Sequence, residues 1–205
     1  MSCHFRSAAP IFAALLTALP AVVIPAAPIP VEAKRIQPVY HPTELGTRWV
    51  YAAGPGPVEV IVEVTSIEEK NGVKTITAHR IEDGEQGRVW QTVRISRDGM
   101  FVSDDGGIAS DPPPCLLRSP AKAGEQWSEE FNFGKRRCTG KRSVGAAEEI
   151  EVPAGRFTAV PVTFDYKLAD CGDERDTTWY APNVGEVKSV FGRSERVLKS
   201  FRKGK

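Results

Sequence analysis

The chain has 205 residues, of which 41% are hydrophobic and 26% charged, and its formal net charge is +1 at pH 7. This length allows a single domain with a substantial core, and the near-balance of charge argues against a dedicated nucleic-acid-binding protein. Beyond residues 1–33, no stretch is long and apolar enough to form a transmembrane helix.

The first segment, residues 1–33, has the pattern of a secretory signal peptide. Arg6 provides the positive start, residues 11–24 are almost all apolar, and residues 31–33 fit a small-x-small cleavage site. A membrane anchor is the alternative, but prolines interrupt an apolar run that is already too short to span a bilayer. We therefore expect a mature single domain of residues 34–205, exported to the periplasm or the extracellular space.

A motif of proline, glycine and tryptophan occurs twice in the mature chain. Gly46 and Trp49 follow a proline at fixed spacing, and the same spacing returns at Gly124 and Trp127. The chain contains only 4 tryptophans, so a chance repetition of this spacing is improbable. The repeat indicates a duplicated structural unit.

Strand-like patterns follow each copy of the motif. Residues 160–168 alternate apolar and polar side chains with the period of two that is typical of β-strands, and Asn71-Gly72 predicts a tight hairpin. We predict an all-β fold in which two similar meander halves, about 40–103 and 118–201, form one curved antiparallel sheet. The sheet is either an open barrel or a sandwich, and its interior is either packed or hollow.

Three cysteines follow the signal segment, and the oxidising compartment that an exported chain enters favours disulfides. If residues 153–156 form a four-residue hairpin loop, the register of the flanking strands sets Cys138 opposite Cys171. This geometry predicts a Cys138–Cys171 disulfide. Cys115 is then left over, and because no base stands beside it we expect an inert thiol.

No catalytic signature is found. The two mature histidines lack the paired cysteines or carboxylates of a zinc site, and no Gly-x-Ser-x-Gly motif is present. Two predicted loops carry acidic clusters without the regular spacing of a calcium-binding loop, and we expect solvated turn residues: Asp98, Asp104, Asp105 and Asp111 around the predicted loop at 104–114, and Asp170, Asp173, Glu174 and Asp176 around Cys171. A basic run at 135–142 is expected to form a solvated surface. We predict no catalytic residue, no metal and no cofactor, and an enzyme built on the acidic loops is the least favoured alternative.

Two later motifs carry a family resemblance, one of the form Val-Pro-Ala-Gly-x-Phe and one of the form Trp-Tyr-Ala-Pro-Asn-Val-Gly. With these motifs the chain resembles the TapB-like families of exported bacterial β-proteins, whose layout is similar to that of the LolA- and LolB-type lipoprotein carriers. The resemblance implies a curved sheet that cups lipid, and it transfers no catalytic residue. Its motif residues, for which we expect a structural role, are Pro153, Gly155, Trp179, Tyr180, Pro182 and Gly185.

Two functions are consistent with these patterns. The first is a non-enzymatic envelope protein that binds lipid or another apolar or amphipathic ligand on the concave face of its sheet. The alternative is a structural or interaction module with a fully packed interior, whose exposed edge pairs with an envelope protein. A continuous apolar cavity of several hundred cubic ångströms is expected of the first and not of the second.

Overall fold

The structure is a computed structural model that describes residues 38–54, 58–169 and 172–205. These residues form fourteen β-strands and no helix. The predicted signal peptide lies outside the described residues. The strands are β1 (Arg48–Ala53), β2 (Glu59–Lys70), β3 (Val73–Glu82), β4 (Glu85–Ser96), β5 (Gly99–Asp105), β6 (Ile108–Asp111), β7 (Cys115–Arg118), β8 (Gln126–Phe133), β9 (Arg136–Val144), β10 (Glu148–Val152), β11 (Gly155–Leu168), β12 (Gly172–Ala181), β13 (Gly185–Phe191) and β14 (Ser194–Arg202).

Twelve of the described strands close into an antiparallel barrel. The hydrogen-bonded order runs β11-β12-β13-β14-β1-β2-β3-β4-β5-β6-β8-β9, and β9 then pairs with β11 to complete the ring. Strands β7 and β10 lie off the ring, paired with β5 and β11. The all-β prediction is confirmed, and its curved sheet is a closed one. Closure pairs the strand edges that an open sheet would leave free.

The barrel consists of two runs of six strands placed end to end, β1 to β6 and then β8, β9 and β11 to β14. Each run opens with the repeated motif, and both copies are held in the same way. Gly46 and Gly124 have positive φ values of 76° and 83°, and their amides donate to the carbonyls of Val64 and Val144 at 2.9 Å and 2.8 Å. The positive φ explains why glycine occupies both positions.

Strand β11 changes its partner along its length, and this change explains a proline in the strand. Its first part pairs with β10 as far as Ala159, and its second part pairs with β9 from Val162 onward. Pro161 lies in the gap between the two partners, where no amide donor is needed, and its carbonyl accepts the Gly145 amide at 2.8 Å.

The turn before β11 differs from the prediction, and the difference removes the basis for the disulfide. Val152 pairs directly with Gly155, so the turn contains two residues rather than four. The register therefore shifts, and Cys138 lies opposite Leu168 instead of Cys171. Cys138 is a free, buried thiol, and the predicted partner Cys171 lies outside the described residues. The segment 104–114, predicted as a loop, contains β6 and the end of β5.

Candidate functional site

A cavity of about 230 Å³ lies inside the barrel. Its lining comes from nine of the twelve ring strands, with none from β1, β2 or β3, and it mixes apolar and charged side chains. The apolar part includes Phe131, Phe133, Phe164 and Leu168, whereas the charged and polar part comprises Asp105, Cys138, Arg142, Tyr166, Asp176, Thr178, Tyr180, Glu186 and Arg196, among others. A cavity that is lined by both kinds of group can hold a small amphipathic molecule.

Arg142 is the most unusual group in this cavity. Its Nε donates to Glu129 Oε2 at 2.6 Å, and the two side chains are only 10% and 8% exposed. Its guanidinium carbon lies 3.9 Å from the centre of the Phe164 ring, a cation–π contact that holds the guanidinium plane in place. Arg142 therefore enters the cavity as a buried and oriented cation.

Glycine at position 140 makes this arrangement possible. A Cβ atom there would lie 2.6 Å from the Phe164 ring and 2.5 Å from the carbonyl oxygen of Asp165. Only a residue without a side chain lets β11 approach β9 this closely. The ring can then lie beneath the guanidinium of Arg142, two residues further along β9.

A second arginine in the cavity has a more complete set of partners. Arg196 donates from Nε and Nη2 to the two carboxylate oxygens of Glu186, at 2.8 Å and 3.1 Å. Its guanidinium also lies 4.7 Å from the Trp90 ring centre and 4.9 Å from that of Phe191. Ser189 donates a further hydrogen bond to Glu186 at 2.6 Å. The pair is joined by two parallel hydrogen bonds and forms part of the cavity lining.

Two aspartates complete the charged lining. Tyr166 donates its hydroxyl to Asp176 Oδ2 at 3.0 Å. Burial raises the pKa of Asp176, and the neighbouring Glu174 raises it further, against the opposing effects of Tyr166 and Arg142. Burial likewise raises the pKa of Asp105. Both carboxyl groups therefore hold a proton more readily than an exposed aspartate.

The repeated tryptophans are structural and do not line this cavity. Trp49 and Trp127 are 4% and 6% exposed and pack into the two main core clusters. The Trp49 indole donates to the Val184 carbonyl at 2.7 Å, which joins the start of β1 to the turn before β13. The equivalent Trp127 Nε1 is buried and has no hydrogen-bond partner within the described part of the chain.

The residues of the family resemblance fall into two groups. Pro153 lies in the two-residue turn before Gly155, whereas Pro182 and Gly185 shape the turn between β12 and β13, where Gly185 has a φ of 90°. Trp179 and Tyr180 point to opposite sides of β12. Tyr180 lines the cavity, and the Trp179 indole donates to Glu148 of β10 at 2.6 Å. Of the residues in these two sequence motifs, Tyr180 is thus the one that lines the cavity.

Neither described thiol is suited to chemistry. Burial, reinforced by the nearby Glu129, raises the pKa of Cys115 to about 12. Burial raises the pKa of Cys138 to about 11. A thiol is nucleophilic only as its thiolate, so both are unreactive near neutral pH. Cys115 also does not line the cavity, and its backbone amide donates to Glu129.

Sequence reasoning placed Asp105 and Asp176, which line the cavity, in acidic loops, but it missed the buried arginines and Glu186. The basic run at 135–142 was predicted to be a solvated surface, and this is wrong for Arg142, which is buried. The signal was available in the alternation of β9, because Arg142 shares its face with Cys138 and Val144, both of which are buried. Glu186 and Arg196 carry no comparable local signal, because they lie on different strands and meet only in the fold.

A larger cleft of about 330 Å³ lies on the surface beside the β4–β5 turn, but its cations are already engaged. Arg118 pairs with Glu125 at 3.2 Å and lies 4.9 Å from the Trp127 ring centre. Arg97 pairs with Asp98 at 3.6 Å. The interior cavity is therefore the stronger candidate site.

Comparisons with known proteins identify the fold. No family model and no curated protein matches the chain. Two solved structures do match. A candidate exported protein with a YmcC-like fold from Bacteroides fragilis NCTC 9343 is 15% identical, with a TM-score of 0.59 over 81% of this chain and 100% of its own. A candidate lipoprotein from Parabacteroides distasonis ATCC 8503 is 17% identical, with a TM-score of 0.56 over 81% of this chain and 99% of its own.

These structures resemble the chain in fold alone. Sequence identities of 15% and 17% are too low for a function to be inferred from them. The chain thus shares a YmcC-like fold. Its described residues include no helix with the length and apolar character needed to cross a bilayer.

Proposed function

We propose that this protein is an exported, non-enzymatic binding protein whose barrel encloses one small amphipathic molecule. The observation that carries the proposal is the interior cavity, in which phenylalanine and aliphatic side chains stand beside buried charged groups. A barrel evolved only for stability would fill this space with apolar side chains, since buried charges cost free energy. The alternative module with a fully packed interior is disfavoured by the same cavity.

The volume of the cavity limits the size of the ligand. Sites for drug-sized molecules have volumes of about 300–1,000 Å³. The cavity, at about 230 Å³, is smaller than this range, and its lining is not continuously apolar. The proposal therefore favours a small molecule over the lipid that the carrier resemblance implies. The TapB-like and lipoprotein-carrier resemblances stay predictions.

Two observations support the proposal that the chain is exported. The first is the predicted signal peptide at residues 1–33. The second is that the structural neighbours are described as a candidate exported protein and a candidate lipoprotein. We accordingly place the protein in the cell envelope or outside the cell. Fractionation of cells that express the full chain, followed by mass spectrometry of its mature N-terminus, tests this part of the proposal.

The binding function is tested by native mass spectrometry of the exported protein after gentle purification. We expect a retained small molecule that is released on denaturation and can be identified in an organic extract. A Leu168→Trp variant should lose it, because Leu168 lines the cavity and an indole would occupy the space. The control is Ile150→Trp on β10, which is similarly half-buried but does not line the cavity. Equal retention by both variants would contradict the placement of the ligand in this cavity. A wild-type protein without any retained molecule would contradict the binding function.

A further inference from the structure

The two buried arginines of the cavity differ in a way that indicates the chemistry of the ligand. Arg196 uses two of its nitrogens on both oxygens of Glu186. Arg142 uses only Nε, on a single oxygen of Glu129. The second oxygen of Glu129 is occupied by the backbone amide of Cys115. Glu129 thus receives Arg142 through one oxygen only, whereas Glu186 receives Arg196 through both.

The consequence is a set of unused hydrogen-bond donors. Across residues 38–54, 58–169 and 172–205, the Nη1 and Nη2 atoms of Arg142 have no hydrogen-bond partner. The side chain is 10% exposed, it lines the cavity, and its Nη atoms are not among the atoms sealed from solvent. These donors therefore point into the cavity. Donors that no protein group uses are free to bind an incoming acceptor, and the low exposure of the side chain strengthens such a charge-assisted contact.

The planar edge is also oriented before any ligand arrives. Glu129 fixes the Nε side, and the Phe164 ring supports one face of the guanidinium at 3.9 Å. A fixed guanidinium edge matches the two oxygens of a carboxylate, which it can bind through parallel hydrogen bonds. Apolar walls from Phe133 and Leu168 line the same cavity and can cover an apolar body.

We infer that the Nη edge of Arg142 binds the carboxylate of a small carboxylic acid whose apolar body lies against Phe133 and Leu168. This inference rests on the proposed binding function and adds the class of ligand to it. Asp176 belongs to the same surroundings, because it interacts electrostatically with Arg142, but no ion pair joins them in the described residues. The donors of Arg142 thus stay available to the ligand, whereas Asp176 is engaged by Tyr166.

The test uses three probes with the same aromatic body and different heads: phenylacetate, phenylacetamide and 2-phenylethylamine. Binding to the full exported protein is measured by calorimetry, after the native ligand has been removed. We expect phenylacetate to bind about tenfold or more tightly than the other two, because a charge-assisted bidentate contact is about twice as strong as a neutral one. In wild-type protein with ¹⁵N-labelled arginine, the Nη signals of Arg142 should shift on addition of phenylacetate.

Variants separate recognition from folding. Arg142→Lys keeps the charge beside Glu129 but removes the planar edge, and it should weaken phenylacetate binding by about tenfold. The control Arg156→Lys changes an arginine that is 74% exposed on the outer surface and should leave binding unchanged. If the amide or the amine binds as tightly as phenylacetate, the carboxylate inference fails while the binding function stands. If none of the three binds, the carboxylate inference fails, and the binding function is then decided by native mass spectrometry of the wild-type protein alone.

Discussion

The buried ion pair between Arg142 and Glu129 allows a quantitative test of the structure. We consider the substitution Glu129→Gln, which keeps the shape of the side chain and removes its charge. The pair is 2.6 Å long and its side chains are 10% and 8% exposed, so the variant leaves a guanidinium buried without a counter-charge. Breaking a buried pair by removing one partner costs about 3–5 kcal/mol. We therefore expect the free energy of unfolding to fall by an amount in this range.

An exposed pair in the same barrel serves as the matched control. Arg156 and Glu151 are joined at 3.2 Å, with side chains that are 74% and 73% exposed. Such pairs contribute about 0–1 kcal/mol, so Glu151→Gln should change stability very little. The double variant Glu129→Gln with Arg142→Gln should recover part of the loss, because no uncompensated charge then stays buried.

The assay is urea unfolding followed by tryptophan fluorescence, with the slope of the transition checked for constancy between variants. If Glu129→Gln and Glu151→Gln had the same small effect, the pair could not be buried as the structure has it. If the double variant lost more free energy of unfolding than the single variants Glu129→Gln and Arg142→Gln lose together, the reasoning about charge compensation would be refuted.

Three further predictions follow from the same contacts. Trp49→Phe should cost about 1 kcal/mol more in urea unfolding than Trp127→Phe, because of these two tryptophans Trp49 alone makes an indole hydrogen bond within the described residues, and equal costs would contradict this. Asp176→Asn should raise stability at pH 8 and have less effect as the pH falls toward 4. The raised pKa of Asp176 means that the folded protein binds its proton more readily than the unfolded chain, so ionisation at high pH destabilises the fold; a gain that grew on acidification would have the wrong sign. Cys115 should resist a thiol reagent at pH 8 until the protein unfolds, since its pKa is about 12, and rapid labelling of the native protein would exclude its burial.

The local parts of the fold could be predicted from the sequence because they depend on neighbouring residues. Asn71-Gly72 predicts a two-residue hairpin, and both residues have positive φ, 54° and 75°, between β2 and β3. The alternation of residues 160–168 appears as β11, with Val162 and Phe164 buried. In both places the backbone preference and the side-chain pattern indicate the same structure.

The closure of the barrel could not be predicted, because it depends on pairing between distant strands. It requires β10 to leave β11 near Pro161, so that β9 can take its place. The turn at Pro153 is two residues shorter than predicted, and the segment between β9 and β10 adds a shift of one more, so Cys138 lies opposite Leu168 and not opposite Cys171. One misplaced turn shifts every later pair in a ladder.

The candidate site was missed for a related reason. Arg142 belongs to a run of charged residues, and charged runs are usually exposed, whereas its burial is made possible by Glu129 and Phe164 on other strands. The partners of Arg196 likewise come from β13 and from the first half of the barrel. Such a site is formed by the closed ring as a whole rather than by any one segment.

A crystal structure of the exported protein, purified without exchange of its bound molecules, tests the central claim most directly. The claim predicts a closed ring of twelve strands with electron density for a small molecule between Arg142 and the apolar wall at Leu168. A barrel whose side chains fill that space completely, or a ring left open between β9 and β11, would contradict it.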